Sequence, residues 1–341
     1  MTLDLDARRG YLGASELAAA CGLSEWITPT GLALRKLGLV PPTSSDATRW
    51  GSLMEPAIMG EWSRHMGCGV VVPTEADPLE YEMPGHPWIR GHLDGLSLGE
   101  RRCPDCGIVG ACVVDAKNPG WRAASDWGSV CTDDVPVEYA VQMQVYCDLT
   151  NRPQADLAVL IERNWRVYHV RRDPKFLADL IAVAEPWWRR IERGERPQLD
   201  GSDESTALAK REHPSHVEGK LKHADDAFHA EAMRYAEAHE AASAADAVKK
   251  ESGNRIREMI GDAERVEGPG YYVLYRQGAA KRSTDWQRAA VDLGRMLDQL
   301  RTGVLSPADV VPSTDVIDMH TVLVPGSRTL RPNFAPKGKK R

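Results

Sequence analysis

Apolar and polar positions are most sharply segregated between Gly91 and Pro119, where two short apolar runs flank a polar loop in the manner of a β-hairpin. Asp94 closes the first run, and Asp115 and Lys117 follow Val113 and Val114 in the second. Residues two apart on a strand share a face, so Asp115 and Lys117 project together, and the hairpin brings Asp94 to their side. Two carboxylates and an ammonium on one sheet face are costly to hold together, and a divalent cation is the usual compensation. The plainer alternative is an Asp94-Gly95 turn beside a solvated charge pair on an edge strand.

The flanking patterns are helical. Leu17, Ala18, Ala20 and Cys21 keep helical spacing after Ser15, which reads as a helix start, with Gly22 as the stop; a second helix follows Thr28-Pro29 through Leu32, Leu34 and Leu37. Arg8, Arg9 and Ser15 then gather at a helix N-terminus, where free amides favour an anion; a simple cap with two solvated arginines is the alternative. Leu53, Ala57, Ile58 and Trp62 form a third helical stripe, with Glu55 off that stripe near its N-terminal turn. Glu55 is either an ordinary first-turn glutamate or a third carboxylate for the cation. CGVVVPTE reads as a strand. The run from Val137 to Leu149 fits strand alternation and helix alike; Tyr139, Gln142, Tyr146 and Leu149 favour helix and place Gln142 beside Tyr139. Two strands, ADLAVLIER and WRVYHVRR, and a helix from Pro174 complete a domain ending near residue 200.

The 341 residues are enough for one large or two ordinary domains, and 42% hydrophobic with 27% charged residues is the composition of a soluble globular protein. No apolar run reaches membrane-span length and the N-terminus lacks a signal-peptide core, so the expected location is the cytoplasm, without membrane contact. Seven cysteines, odd in number, suit a reducing compartment. A net charge of −6 excludes a uniformly basic nucleic-acid binder and confines any DNA contact to local patches around an acidic centre.

The ordered motifs GASELAAACGLSEW, GSLMEP, GHLDG, VVDAK and VEYAVQMQVY resemble the YqaJ-type viral recombinase family, phage relatives of lambda exonuclease within the PD-(D/E)XK nuclease superfamily. The resemblance covers about the first 200 residues. It implies an α/β core with a mixed central sheet flanked by helices. It further implies that Glu55, Asp94, Asp115 and the main-chain carbonyl of Ala116 hold one or two Mg²⁺ ions, replaceable by Mn²⁺, and that Lys117 orients or deprotonates the attacking water. Gln142 would lie beside the scissile phosphate, with Tyr139 as a further active-site candidate, while Arg8 and Ser15 would hold the 5′-phosphate of a DNA end. Asp115 stands where the family more often has glutamate. The implied activity is 5′→3′ exonucleolysis of double-stranded DNA ends, giving 3′ overhangs for phage recombination in a bacterial host. Implied partners are a RecT-like annealing protein and further copies of the chain in a trimeric ring. A Cas4-like or structure-dependent nuclease of other polarity, and a non-catalytic DNA-binding protein on a nuclease scaffold, are the alternatives; the complete set of charged residues argues against the second.

Cys103-Pro-Asp-Cys106-Gly has the spacing of a zinc knuckle, but of the four ligands a structural site needs, only His92 and Cys68 stand nearby in sequence. A loop with free thiols is therefore preferred to zinc, Cys112 reads as a buried apolar cysteine facing away from Asp115, and the four-cysteine arrangement of an iron–sulfur nuclease is not evident. Beyond residue 200, composition suggests a polar linker over 201–215 and a mainly helical region over 216–325. That region comprises a long helix or helical hairpin, a strand at GPGYYVLYRQ and a helix capped by Thr284. Residues 326–341 read as a basic, disordered tail able to track phosphates.

Overall fold

The computed structural model describes residues 7–41, 46–269, 271–304, 306, 311–324 and 328–334, and the chain divides into two units, 1–219 and 220–341. In the first unit β1 (Leu12–Gly13) is followed by helices α1 (Leu17–Ala20), α2 (Pro29–Lys36) and α3 (Asp46–Met66). Thr28 caps α2 by accepting the Gly31 N–H at 3.0 Å, with Pro29 presetting the first helical φ. Short strands follow: β2 (Val70–Val71), β3 (Glu80–Met83), β4 (His86–His92), β5 (Gly95–Ser97), β6 (Arg101–Arg102), β7 (Val109–Gly110) and β8 (Cys112–Lys117). Helix α4 (Val137–Thr150) then leads to the hairpin of β9 (Gln154–Ile161) and β10 (Asn164–Arg171), and α5 (Pro174–Glu192) and α6 (Asp203–Glu212) end the unit.

The central sheet has the order β10-β9-β8-β5-β2, with β8 and β9 parallel and the other neighbours antiparallel. This is the mixed sheet between helices that the resemblance implied. Strand alternation sorts its two faces. Ile58, Met59 and Trp62 of α3 pack with Cys112, Val114, Ala158 and Val167 on one side; on the other, Val113, Leu157, Val159 and Tyr168 pack with residues of α4 and α5. Cys112 is thus buried on the face opposite Asp115, as its parity requires. The ambiguous run at Val137 is a helix, and every residue from Val141 to Cys147 is buried. A helix covered on all sides carries no one-sided stripe, which is why its sequence fits two periods.

Three expectations change. The apolar face of α3 is Ile58, Met59, Trp62 and Met66 rather than the stripe through Leu53, which is 57% exposed; with the helix starting at Asp46, Glu55 stands in its middle and not in its first turn. The stretch 201–215 is not a plain linker, because Ser202 caps α6 and Leu208 is fully buried with Leu34 and Val40. The buried Leu208 and the Arg35–Glu204 ion pair dock this short helix while leaving the composition linker-like.

In the second unit α7 (Asp226–Ile260) is one continuous helix begun by an Asp225 cap. It is followed by β11 (Arg265–Gly268), β12 (Tyr271–Gln277), β13 (Lys281–Thr284), α8 (Trp286–Arg301), α9 (Ser313–Met319), β14 (Thr321–Val324) and β15 (Arg328–Phe334). The strands pair as β11-β12-β15 and β13-β14, so this region carries more sheet than its composition suggests. Asp285, not Thr284, caps α8, since its carboxylate accepts the Arg288 N–H while Thr284 ends a strand. Part of the supposed disordered tail is a strand, β15, antiparallel to β12; residues 335–341 lie outside the described residues. Among the described residues no helix is long and apolar enough to cross a membrane.

Candidate active site

Strand β5 pairs antiparallel with β8 through Gly95↔Val114 and Leu96↔Val113, and the same register carried one step further sets Asp94 opposite Asp115. The Ala116 N–H donates to Asp94 Oδ2 at 2.9 Å, fixing that carboxylate against β8. Gly95 is required by what lies above it: a Cβ there would stand 2.4 Å from Met59 Cε and 3.0 Å from the Val71 carbonyl oxygen. Glu55 is one helical turn before Met59, on the same side of α3, so the close approach at Gly95 also brings Glu55 to the carboxylates. Pro56, which lacks an amide proton, follows Glu55 directly.

Asp115 is fully buried and ion-paired with Lys117, and no hydrogen-bond donor besides that ammonium serves its two oxygens. Burial raises its pKa to about 7, with Lys117 opposing and Asp94 and Glu55 reinforcing the shift. Glu55 is likewise pushed up to about 7, chiefly by burial and then by the Asp94 charge. Asp94 is raised by burial against the lowering effects of Lys117 and the Ala116 amide. Burial alone would lower the Lys117 pKa, but the charges of Asp115 and Asp94 outweigh it and hold the side chain as an ammonium.

The site fits a divalent cation on its own evidence. Three carboxylates supply hard oxygen donors, the Asp115 oxygens are under-coordinated in a dry position, and one lysine cannot neutralise three acids. The Ala116 carbonyl belongs to the same strand end, between Asp115 and Lys117.

Helix α4 supplies the far wall. Tyr139 presents its ring to the Lys117 ammonium at 5.1 Å and stacks on Trp127 at 5.3 Å. Gln142, 7% exposed, donates through Nε2 to the Tyr146 hydroxyl at 2.8 Å, which donates to the His92 carbonyl at 2.6 Å. Burial, then the charges of Asp115 and Asp94, hold Tyr146 well above the ordinary tyrosine pKa. In the sequence Tyr146 is only a point in a helical period; its place four residues after Gln142 is the signal that marks it as Gln142's partner.

The anion site expected at Arg8 and Ser15 takes a different form. Ser15 lies exposed in a 3₁₀ turn, Ala14–Glu16, ahead of a helix of only four residues, and makes no cap. Buried Lys36 binds this segment through the Arg8 carbonyl, the Tyr11 carbonyl and Glu16 Oε2, each at 2.6 Å. Arg8 Nη2 is 4.0 Å from Glu16 Oε1, its Nε is buried without a hydrogen-bond partner, and its charge reaches Tyr146 and His92. The Arg8 charge therefore acts on Tyr146 and His92, whereas Ser15 faces solvent.

Neither sequence neighbour of the zinc-knuckle pair joins it: His92 Nε2 bonds Tyr11 Oη at 2.9 Å, and Cys68 Sγ donates to the Gly69 and Leu98 carbonyls.

A mixed sheet between helices, carboxylates paired across adjacent strands, a lysine two residues past the second and a helix-borne glutamate define the PD-(D/E)XK class of core. Residues 5–153 match the family described as the YqaJ-like viral recombinase domain. It is 28% identical over 264 residues to the uncharacterised protein YqaJ of Bacillus subtilis (strain 168), covering 75% of this chain and 77% of that protein. The alkaline exonuclease LHK-Exo of Laribacter hongkongensis is 17% identical at a TM-score of 0.42, over 61% of this chain and 96% of that one. A putative exonuclease from Eubacterium rectale is 13% identical at a TM-score of 0.40, over 67% and 97%.

Proposed function

We propose that this protein is a metal-dependent nuclease that hydrolyses double-stranded DNA from its ends, 5′→3′, leaving 3′ single strands for recombination. One observation carries the reading: the buried, under-coordinated carboxylate of Asp115 faces Asp94, Glu55 and an ion-paired lysine. A bound Mg²⁺, or Mn²⁺ in its place, would polarise the phosphodiester and lower the pKa of a water.

In this reading Glu55, Asp94, Asp115 and the Ala116 carbonyl hold the cation. Lys117 stays protonated beside Asp115, so it positions the water and offsets negative charge gathering on the phosphoryl oxygens instead of accepting the proton. Gln142, oriented by Tyr146, hydrogen-bonds a non-bridging oxygen of the scissile phosphate. Tyr139 holds the Lys117 ammonium in place with its ring face. The guanidinium of Arg8, with Ser15 on the solvent side, receives the terminal 5′-phosphate, and its present 4.0 Å ion pair with Glu16 is exchanged for the stronger phosphate pair. The 3′ strands are substrates for an annealing protein of the RecT type in a bacterial cytoplasm, and a trimeric ring of this chain would keep hold of the duplex.

The test is digestion of linear duplex DNA labelled at either end, with 5′-phosphate or 5′-hydroxyl, in Mg²⁺ or EDTA, with Lys117→Ala as the contamination control. Mg²⁺-dependent release of nucleotides from 5′-phosphorylated ends, absent in the variant, is the expected result. Release from 3′ ends would replace it with a nuclease of Cas4-like or structure-dependent polarity. No cleavage of linear, circular or single-stranded DNA in Mg²⁺ or Mn²⁺ would leave a non-catalytic DNA-binding scaffold.

A further inference from the structure

On the α3 side of the central sheet, the long loop between β5 and β8 folds back on β10, and four side chains that no hydrolytic role uses converge there. Cys103 and Cys106 come from the β6–β7 turn, Cys131 from the loop ahead of α4, and His169 from β10. The metal-ligating atoms of all four lie within 4.8 Å of one another, and Cys103 Sγ is 4.0 Å from Cys131 Sγ. Four sulfur or nitrogen donors at Zn–S distances of about 2.3 Å stand about 3.8 Å apart in a tetrahedron. We infer that Cys103, Cys106, Cys131 and His169 bind one structural zinc ion, separate from the carboxylate site and independent of the hydrolytic reading.

The imidazole is prepared as a ligand. His169 is 3% exposed; its Nδ1 lies 2.7 Å from Asp156 Oδ1, while its Nε2 is buried with no hydrogen-bond partner. Asp156 is itself fixed, by the Arg101 guanidinium and by the Trp62 indole N–H at 3.0 Å. A carboxylate that accepts from Nδ1 sets the tautomer with the lone pair on Nε2, the arrangement that orients metal-bound histidines. Without a ligand that lone pair is an uncompensated buried acceptor.

The backbone presents the thiols. The Cys103 N–H donates to the Ile108 carbonyl and the Gly107 N–H to the Cys103 carbonyl, both at 2.9 Å, closing the knuckle at a Gly107 φ of +76° that favours glycine. Cys131, although not glycine, is held at φ +62°. Its N–H donates to the Val167 carbonyl at 2.9 Å, and the His169 N–H donates to the Thr132 carbonyl at 3.0 Å, so the loop is paired to β10 where His169 projects. The left-handed residue thus has its conformation imposed from both sides.

The donor set selects the ion. Three thiolates and an imidazole suit zinc, whereas the carboxylates around Asp115 suit harder cations, so the two sites take different metals. Four protein ligands leave no open position, which makes the site structural. Donors converging on one point fit a single ion better than a cluster, which spreads its ligands over several metals. All seven cysteines are free, and 4.0 Å is far from the about 2 Å of a disulfide.

The full-length protein, purified without chelator and dialysed against Mg²⁺, is expected to retain one zinc per chain by elemental analysis. Cys106→Ser, at the exposed ligand, should lower that content at least about tenfold, while Asp94→Asn keeps it. Wild-type protein loaded with Co²⁺ should show thiolate-to-metal charge transfer with the visible bands of a tetrahedral ion, and three thiols should become alkylatable only after the metal is stripped. The cobalt spectrum and the alkylation need no variant, so a misfolded Cys106→Ser protein would not blunt the test. Folded wild-type protein that holds no zinc after incubation with it, zinc lost in Asp94→Asn but kept in Cys106→Ser, a cobalt spectrum without thiolate bands, or a Cys103–Cys131 disulfide in the purified protein would each overturn the assignment.

Discussion

Asp94 accepts the Ala116 N–H at 2.9 Å, so one of the three acids is anchored to the backbone of the strand that carries the other two charged groups, Asp115 and Lys117. Asp94→Asn keeps an acceptor for that amide and removes only the charge. We expect the variant to fold with a metal-free melting temperature at least equal to that of wild type, because one of the mutually repelling charges is gone, and to lose at least roughly 10²-fold in single-turnover DNA cleavage. Near-wild-type cleavage would remove Asp94 from the cation site.

Glu55 and Asp115 stay protonated to about pH 7 in the fold, through burial first and neighbouring acids second, but ionise near pH 4 when unfolded. The native state therefore holds more protons between these values. The stability they contribute is fully present below about pH 4 and is lost as pH rises through about 7. Metal-free protein should melt lower at about pH 8 than at about pH 6. Glu55→Gln should remove part of that slope, on the order of 1 kcal/mol after allowing for its partial exposure, or a few degrees. Mg²⁺ should recover the lost stability at the higher pH in wild type and less in Glu55→Gln. An identical slope in both proteins would show that Glu55 does not titrate with the site.

Gly95→Ala tests how α3 is seated. The new Cβ would sit 2.7 Å from Val70 Cγ2 as well as against Met59 and the Val71 carbonyl, and the last of these is backbone. Overpacking of this kind costs about 1–3 kcal/mol. Relief has to come from the Met59 side chain of α3 or from the β2 backbone, and if Met59 seats the helix that carries Glu55, Mg²⁺ affinity weakens along with stability. Calorimetric titration that finds wild-type metal binding in a destabilised variant would separate the Gly95 contact from the position of Glu55.

Tyr146→Phe removes the hydroxyl that accepts from Gln142 and donates to the His92 carbonyl. A loss of about 1–2 kcal/mol in chemical unfolding is expected from the two bonds. If Tyr146 acts by orienting Gln142, then Gln142→Ala adds little to the cleavage defect of Tyr146→Phe. Independent, multiplying defects in the double variant would refute the coupling.

How much of this was legible in the chain depended on whether a feature is local. Asp115 and Lys117 are two apart on one strand and Asp94 is one hairpin away, so strand parity alone brings them together. The turn at Thr28-Pro29 and the helix from Pro174 were legible for the same reason. The packing of Glu55 needed the contact of Met59 with Gly95, which joins residues remote in sequence with nothing in either to announce it. Leu208 was hidden by its polar neighbours, and the exposure of Ser15 by a helix one turn long. Cys131 and His169 are far in sequence from Cys103, so the knuckle looked incomplete; only the pairing of the Cys131–Thr132 loop with β10 supplies the missing pair.

Two residues of α3 seven apart have fixed duties: Glu55 lies beside the acids, and the Trp62 indole N–H reaches the Asp156 that also grips Arg101 and His169. Two full turns separate them on one face, so rotating or sliding the helix to improve one contact spoils the other. The helix backbone beneath the glutamate is consequently set when the chain folds, and a cation arriving later has only the Glu55 side chain left to order.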